Sequence, residues 1–322
     1  MKVLITGAGG FIGHHLALFL KKQGHYVRGV DLKEPAFEAS PCDEFHRLDL
    51  MDLNACLKMT EGIERVYALA ADMGGMGYLA SNQALMFYRN SQIDLNTLEA
   101  SRINGCKRLF YSSSACIYPE FLQEQTEITG LPESLALPAA PADAYGWAKF
   151  MTERLCLVYA QDYSLETRIA RFHNIYGPLG TWQGGREKAP AALCRKAAEA
   201  VMNGSKHIEI WGDGLQTRSF CYIDDCLEGI DRLMNSDYTQ PLNIGQDELI
   251  SINDLAGMVA SIAGHPIEIR HVDGPQGVRG RNSDNTTIKQ VLGWAPSISL
   301  RQGMTQTYEW IHAQVAEKLS RR

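Results

Sequence analysis

Residues 2 to 24 read KVLITGAGGFIGHHLALFLKKQG. The apolar run KVLIT has the length of a strand; Gly7, Gly10 and Gly13 follow at once, and apolar residues then recur at helical spacing until Gly24. Strand, glycine turn and helix in that order open a βαβ unit. Glycines so placed allow a tight turn and bring backbone N–H groups, with Phe11 and Ile12 in the same turn, against an anion at the positive end of the helix dipole.

Outward from that turn the pattern repeats. YVRGVDL (26–32), FHRLDL (45–50), RVYALAA (65–71) and KRLFYSSS (107–114) read as strands, with helical spacing around 52–60 and 81–104 between them. A helix over about 144–162 and the strand LETRIARF (165–172) continue it. Alternating strands and helices imply right-handed crossovers and a doubly wound parallel sheet, an α/β fold of Rossmann type. After residue 173 the pattern is less regular, with helices near 190–202, 225–234 and 302–318. The expected organisation is a nucleotide-binding domain over 1–173, to which 218–245 returns, and a smaller mixed α/β lobe over 174–217 and 246–322.

Composition bounds the partners. With 21% charged residues and a net charge of −6, the chain lacks the basic surface that nucleic acid requires, so any anionic ligand must be held by local Arg or Lys. No apolar run reaches the roughly 18 to 20 residues of a membrane span, and the glycines arrive too early for a signal peptide. A cytoplasmic protein that binds no membrane is expected. The eight cysteines are scattered without a C-x-x-C pair or histidines at zinc-like spacing, so neither disulfides nor a metal site is expected.

Asp31 ends the second strand, where a carboxylate can accept hydrogen bonds from adenosine ribose hydroxyls and repel a 2′-phosphate. That favours NAD over NADP, although Arg28 and Lys33 stand nearby. Asp49 is placed to meet the adenine edge or simply to form a turn. In YGWAK, Tyr145 and Lys149 are four apart and share a helix face. A phenol with a pKa of about 10 is a poor base near neutrality, and an adjacent ammonium favours its phenolate. Such a pair can take the proton of an alcohol while its hydride leaves.

The glycine turn, Asp31, Ser114, Tyr145 and Lys149 together resemble the extended short-chain dehydrogenase/reductase family, whose members act on nucleotide-activated sugars. The resemblance gives Ser114 a hydrogen bond to the reacting sugar hydroxyl. Where dehydratases of the family carry an Asp-Glu pair after that serine or threonine, and simple 4-epimerases Ala-Thr, this chain has Ala115 and Cys116. A thiol with a pKa of about 8.5 serves as both base and acid near neutrality, especially beside a cation. Once carbon 4 of a sugar is a ketone, the hydrogens on carbons 3 and 5 become acidic and a thiolate can take them. Inversion then needs a second group on the opposite ring face, and Lys188, in the irregular segment expected to close over the cleft, is the candidate.

The longer motifs ADMGGMG (71–77), SSACIYPE (113–120), RFHNIYGP (171–178), GTWQGGREKAPAA (180–192), WGDGLQTRSF (211–220) and GVRGRNSDN (277–285) are similar to those of the GDP-mannose 3,5-epimerase branch of that family. The similarity implies GDP-mannose and related GDP-hexoses as ligands, NAD as an internally recycled cofactor, and a homodimer built through helices near 85–104 and 144–161. It also puts Arg218 and Arg281 on the nucleotide phosphates, where a guanidinium forks onto phosphate oxygens. Arg279 rivals Arg281 for that place. Asn174, Glu187, Lys196 and Gln216 follow as further substrate contacts, with Gly74 bringing backbone against the sugar and Met73 and Met76 lining the cleft. Two alternatives stay open: a UDP-sugar 4-epimerase, which would need no thiol at 116, and an NAD-responsive binding protein without turnover.

Overall fold

A computed structural model describes residues 1–321; the side chains of Met76 and Leu79 fall outside that description, and with them the expectation placed on Met76. The chain first lays down β1 (Lys2–Thr6), α1 (Phe11–Lys22), β2 (Tyr26–Asp31), β3 (Glu44–Arg47), α2 (Leu53–Thr60), β4 (Arg65–Ala68), α3 (Met76–Ser81), α4 (Gln83–Ile103), β5 (Arg108–Ser114), α5 (Ala144–Tyr163) and β6 (Glu166–Phe172). It continues through β7 (Ile175–Tyr176), α6 (Ala189–Asn203), β8 (His207–Trp211), β9 (Thr217–Ser219), β10 (Cys221–Tyr222), α7 (Ile223–Asn235) and β11 (Leu242–Ile244). The last elements are β12 (Leu249–Ser251), α8 (Ile252–Ala263), β13 (Glu268–Val272), β14 (Gly280–Arg281), α9 (Thr286–Leu292) and α10 (Leu300–Ser320).

Seven strands form the main sheet in the order β11-β6-β5-β4-β1-β2-β3, every neighbouring pair parallel. Such a sheet is covered on both faces, which is why β1 is buried continuously from Val3 to Thr6. Alternate residues feed the two sides. Val3 and Ile5 join a core with α1 and α7 residues such as Leu16, Leu20 and Ile230, and Leu4 joins Met59, Leu98 and Cys156 under α2, α4 and α5. The first core continues into α6, α8 and α10 through Leu193, Leu255 and Ile311. Strand order reverses between β1 and β4, the switch point beyond whose carboxyl ends open α/β sheets bind their ligands.

The parallel α/β sheet is the architecture read from the glycine turn, but two strands end early. FHRLDL gives only Glu44–Arg47, because Asp49 bends the chain, its carboxylate accepting from the Met51 amide (2.9 Å) and its carbonyl from that of Asp52 (3.2 Å). RVYALAA stops at Ala68, where the Thr6 hydroxyl accepts from the amides of Leu69 and Ala70 (both 3.1 Å) and draws the chain over β1.

Candidate active site

The glycine turn is fixed by steric necessity at two positions. A Cβ on Gly13 would lie 2.1 Å from the Gly7 carbonyl oxygen, and Gly7 itself has φ +74° with the Ala70 amide 2.9 Å from where its Cβ would be. Gly10 differs: a Cβ there would meet only the Gly7 oxygen at 3.2 Å, so the space before the helix is open. Gly10 caps α1 without a side chain, and no acidic residue occupies the first turn at Phe11 and Ile12. An uncapped helix start of this kind is electrostatically suited to a pyrophosphate. Asp31 closes the groove, its carboxylate accepting from the amides of Gly9 (3.0 Å) and Lys33 (3.3 Å) while burial raises its pKa. Arg28 is occupied elsewhere, by the Glu44 carboxylate and the carbonyls of Met59 and Glu61, so it is not free to hold a 2′-phosphate. Asp49 is exposed and serves its turn.

Ser114 is the last residue of β5. Its hydroxyl accepts from the Cys116 amide (3.1 Å), which rolls the chain into a single turn of 3₁₀ helix at Ala115–Ile117 and presents the sulfur. The amino end of α5 packs directly on this turn: a Cβ on Gly146 would sit 2.2 Å from the Cys116 carbonyl oxygen. Asp143 caps the helix through the Gly146 amide (2.8 Å), and Tyr145 and Cys116 are thereby brought together with Met73 and Met86. Burial holds the Tyr145 phenol well above its usual range, with Cys116, Asp94 and Asp143 adding to the rise and a hydrogen bond with Ser114 opposing it.

Lys149 lies one turn further along the same face and is 1% exposed. Its Nζ is 3.7 Å from the Asp94 carboxylate and 4.6 Å from the Tyr111 ring centroid, yet it has no hydrogen-bond partner among the described residues. A buried ammonium with its hydrogen-bond donors unspent is costly even beside a carboxylate, and a hydroxyl is a group that would accept from it. The open helix start, the locked Asp31 and the unspent hydrogen-bond donors of Lys149 fit a dinucleotide.

Residues 3–245 match the model of the NAD dependent epimerase/dehydratase family. The chain belongs to that family. Its cofactor is NAD. GDP-mannose 3,5-epimerase of Arabidopsis thaliana is 55% identical over 99% of this chain and 84% of its own length. GDP-mannose 3,5-epimerase 1 of Oryza sativa subsp. japonica is 53% identical, with 99% and 83% covered. Among solved structures, UDP-glucose 4-epimerase of Thermotoga maritima with UDP-glucose superposes with a TM-score of 0.87 at 26% identity, covering 98% of this chain and all of that one. UDP-glucuronic acid 4-epimerase of Bacillus cereus, solved with UDP-glucuronic acid and NAD, gives 0.81 at 27%, with the same coverage.

In this epimerase/dehydratase chain, cations converge on the cysteine. Arg281 donates to the Cys116 sulfur (3.2 Å) and, through Nε, to Gln123 (2.5 Å), whose amide is anchored on the carbonyls of Tyr118 and Pro119. Arg279, its rival, forks onto Asp213 at the surface instead (both contacts 3.0 Å). Arg218 touches only the carbonyls of Thr217 and Val278 and has no ion-pair partner among the described residues. Burial and the neighbouring Arg281 pull its pKa down to about 9, the mark of a cation awaiting an anion. Lys188 stands exposed just before α6, where desolvation by the surrounding chain lowers the pKa of its amine against the opposing pull of Cys116 and Cys226.

The remaining expected contacts of the epimerase/dehydratase site are more dispersed. The Gln216 side chain is buried with its oxygen unpartnered among the described residues, and Asn174 donates to the Ser219 carbonyl (2.9 Å) from a backbone at φ +46°. Glu187 is held by the Gly185 amide (2.7 Å) and Arg195 (3.1 Å). Lys196 spends its ammonium on the Glu209 carbonyl (2.5 Å), and a Cβ on Gly74 would press on Tyr78 at 2.9 Å. His173 is a buried structural residue on Asn243 (3.1 Å), its pKa driven down to about 3 by desolvation.

Several residues of the site had no motif to announce them. Asp94 takes hydrogen bonds from Tyr111 (2.6 Å) and Thr152 (3.2 Å) while facing Lys149. Glu153, one turn beyond Lys149, pairs with Arg171 (2.8 Å) and accepts from Ser113 (2.5 Å), bracing the strand that ends in Ser114. Their signal is burial rather than sequence: a helix with Asn90, Asp94, Asn96, Thr97 and Ser101 buried must be spending polar groups on something.

Proposed function

We propose that this protein inverts carbons 3 and 5 of GDP-mannose through a 4-keto sugar, giving GDP-L-galactose, and GDP-L-gulose when carbon 5 alone is inverted. The observation that carries the reading is Cys116, which accepts a hydrogen bond from Arg281 and abuts the Tyr145 helix, in a chain 55% identical to a GDP-mannose 3,5-epimerase. When bound, NAD supplies a reversible two-electron oxidation at carbon 4. Gly7, Gly10, Phe11, Ile12 and Gly13 would cradle its pyrophosphate, Asp31 would accept from the adenosine ribose, and Lys149 would donate to the ribose nearer the sugar.

Tyr145 takes the proton of the carbon 4 hydroxyl. Lys149 supplies the positive charge that offsets the buried phenolate, and Ser114 fixes the hydroxyl by a hydrogen bond. Cys116 and Lys188 then act from opposite ring faces: one removes a proton beside the ketone and the other delivers one. Each inversion therefore leaves sulfur and amine with exchanged protonation states, and desolvation, by lowering the pKa of Lys188, eases the release of its proton to the sugar. Arg281 steadies the sulfur as its charge changes, and Arg218 and Arg281 hold the diphosphate. Asn174, Glu187, Lys196, Gln216 and Gly74 shape the rest of the pocket.

The direct test is incubation with GDP-mannose in heavy water, followed by NMR. Deuterium should enter carbons 5 and 3 of the product; a 4-epimerase would turn over its sugar with both positions still protiated.

The proposal includes a division of labour, with 1–173 and 218–245 holding the cofactor and 174–217 and 246–322 the sugar nucleotide. It also includes a reducing, cytoplasmic setting, which suits eight free thiols. Among the described residues no helix is long and apolar enough to cross a membrane. Assembly is proposed as a homodimer through α4 and α5, which expose Leu85, Tyr88 and Leu95 on one and Trp147, Met151 and Val158 on the other. Spacings of three, four and seven place each set on one stripe, an apolar face that a second copy would cover. Light scattering should give a dimer for the wild type and a monomer for a Tyr88→Lys/Trp147→Glu variant; a wild-type monomer would remove the interface.

A further inference from the structure

Two segments meet across the mouth of the cleft. The first follows β4: the Asp72 backbone is tied to Asn90 of α4 in both directions (2.7 and 3.0 Å), and its carboxylate accepts from the Tyr78 hydroxyl (2.8 and 2.9 Å) and from Arg89 (3.0 Å). The second leads into α6 and carries Lys188. Two residues before that lysine, the Arg186 guanidinium lies 3.8 Å from the Tyr78 ring centroid, with Nη1 3.6 Å from the Asp72 carboxylate. Backbones also touch, since a Cβ on Gly75 would come within 2.9 Å of the Glu187 carbonyl oxygen.

Within the second segment Glu187 is held by the Gly185 amide (2.7 Å) and Arg195 (3.1 Å). Gly184 and Gly185 have φ of +95° and +84°, and neither has an atom within 4 Å of its Cβ position. Arg186 is the side chain that ties this segment to Tyr78 and Asp72 of the first. It touches neither Tyr145 nor Cys116, so its part is to position Lys188 and hold the roof.

We propose that Arg186, Tyr78 and Asp72 form a clasp that keeps the cleft shut between the two inversions, and so sets the share of doubly inverted sugar in the product. The inference rests on the 3,5-epimerase reading above. A sugar inverted only at carbon 5 and returned to the alcohol either leaves or is oxidised again for the second inversion. Opening the clasp favours departure, and it loosens the lysine the second inversion needs.

The test is the initial ratio of GDP-L-gulose to GDP-L-galactose formed from GDP-mannose by the NAD-loaded enzyme, with hydrogen exchange measured on the same samples. A half-exposed stack and ion pair together are worth about fivefold in an opening equilibrium, so Arg186→Ala should raise the ratio about fivefold. Arg186→Lys, which keeps the charge without the planar stack, should fall between. Added salt should raise the ratio for the wild type and leave Arg186→Ala unmoved. Amides of 72–78 and 184–188 should exchange faster in Arg186→Ala.

A ratio within about twofold of wild type overturns the clasp as a product-setting device even if exchange quickens. A wild type that inverts neither carbon defeats the assigned reaction instead. The clasp is then judged on exchange alone, and unchanged protection of the two segments overturns it.

Discussion

Cys116→Ser should oxidise GDP-mannose at carbon 4 and then stall. A serine hydroxyl is too weak an acid to supply the base, so deuterium uptake at carbons 5 and 3 should fall about 10³-fold, within the range that a positioned acid–base group contributes. The absorbance of reduced nicotinamide should still rise on adding substrate, because Ser114, Tyr145 and Lys149 are untouched. Serine also keeps the backbone turn, which depends on the Cys116 amide rather than its side chain. Wild-type inversion by this variant would exclude the role given to the sulfur. Loss of oxidation together with inversion would show that the cysteine is needed before any proton leaves carbon.

Lys149→Met should unfold more easily than any other single replacement in the site. Methionine fills the volume, but Asp94, 5% exposed, is left as a buried carboxylate without its cation, a change typically costing about 3 kcal/mol or more. The pH dependence has a definite sign. Burial already raises the pKa of Asp94, and Lys149 is the largest influence opposing that rise, so removing Lys149 raises it further. Across the interval between the unfolded and folded values the native state binds more protons, so the variant should be most stable at the acid end and lose stability as pH rises through the folded pKa. Denaturant midpoints near neutrality and at about pH 5 would measure this. Adding Asp94→Asn should recover most of the loss; no recovery would mean that the pair is not what the lysine stabilises.

What could be read from the sequence was local. Gly7 and Gly13 were legible because their constraint lies within a few residues, and Tyr145 with Lys149 because a helix turns spacing into proximity. The sheet followed from repetition of that logic, although the ends of β3 and β4 did not, since Asp49 and Thr6 stop those strands through hydrogen bonds that an apolar run does not encode. Lys188 was proposed from its place in the irregular segment expected to close over the cleft, but the contact that ties this segment across the roof was hidden: Arg186 and Asp72 belong to segments over a hundred residues apart. Arg281 was expected on phosphate, and its hydrogen bond to Cys116 spans 165 residues. No periodicity reports such a meeting; only the folded chain does.

The bare contact of Gly146 with the Cys116 carbonyl oxygen has a bearing on redesign. Oxidation and stereochemical inversion meet at one joint with no slack that runs through backbone, so the side chain at 116 can be exchanged to seek another outcome from the same ketone while the phenol stays put. An insertion in that bend, or any side chain at 146, would throw both halves out of alignment at once.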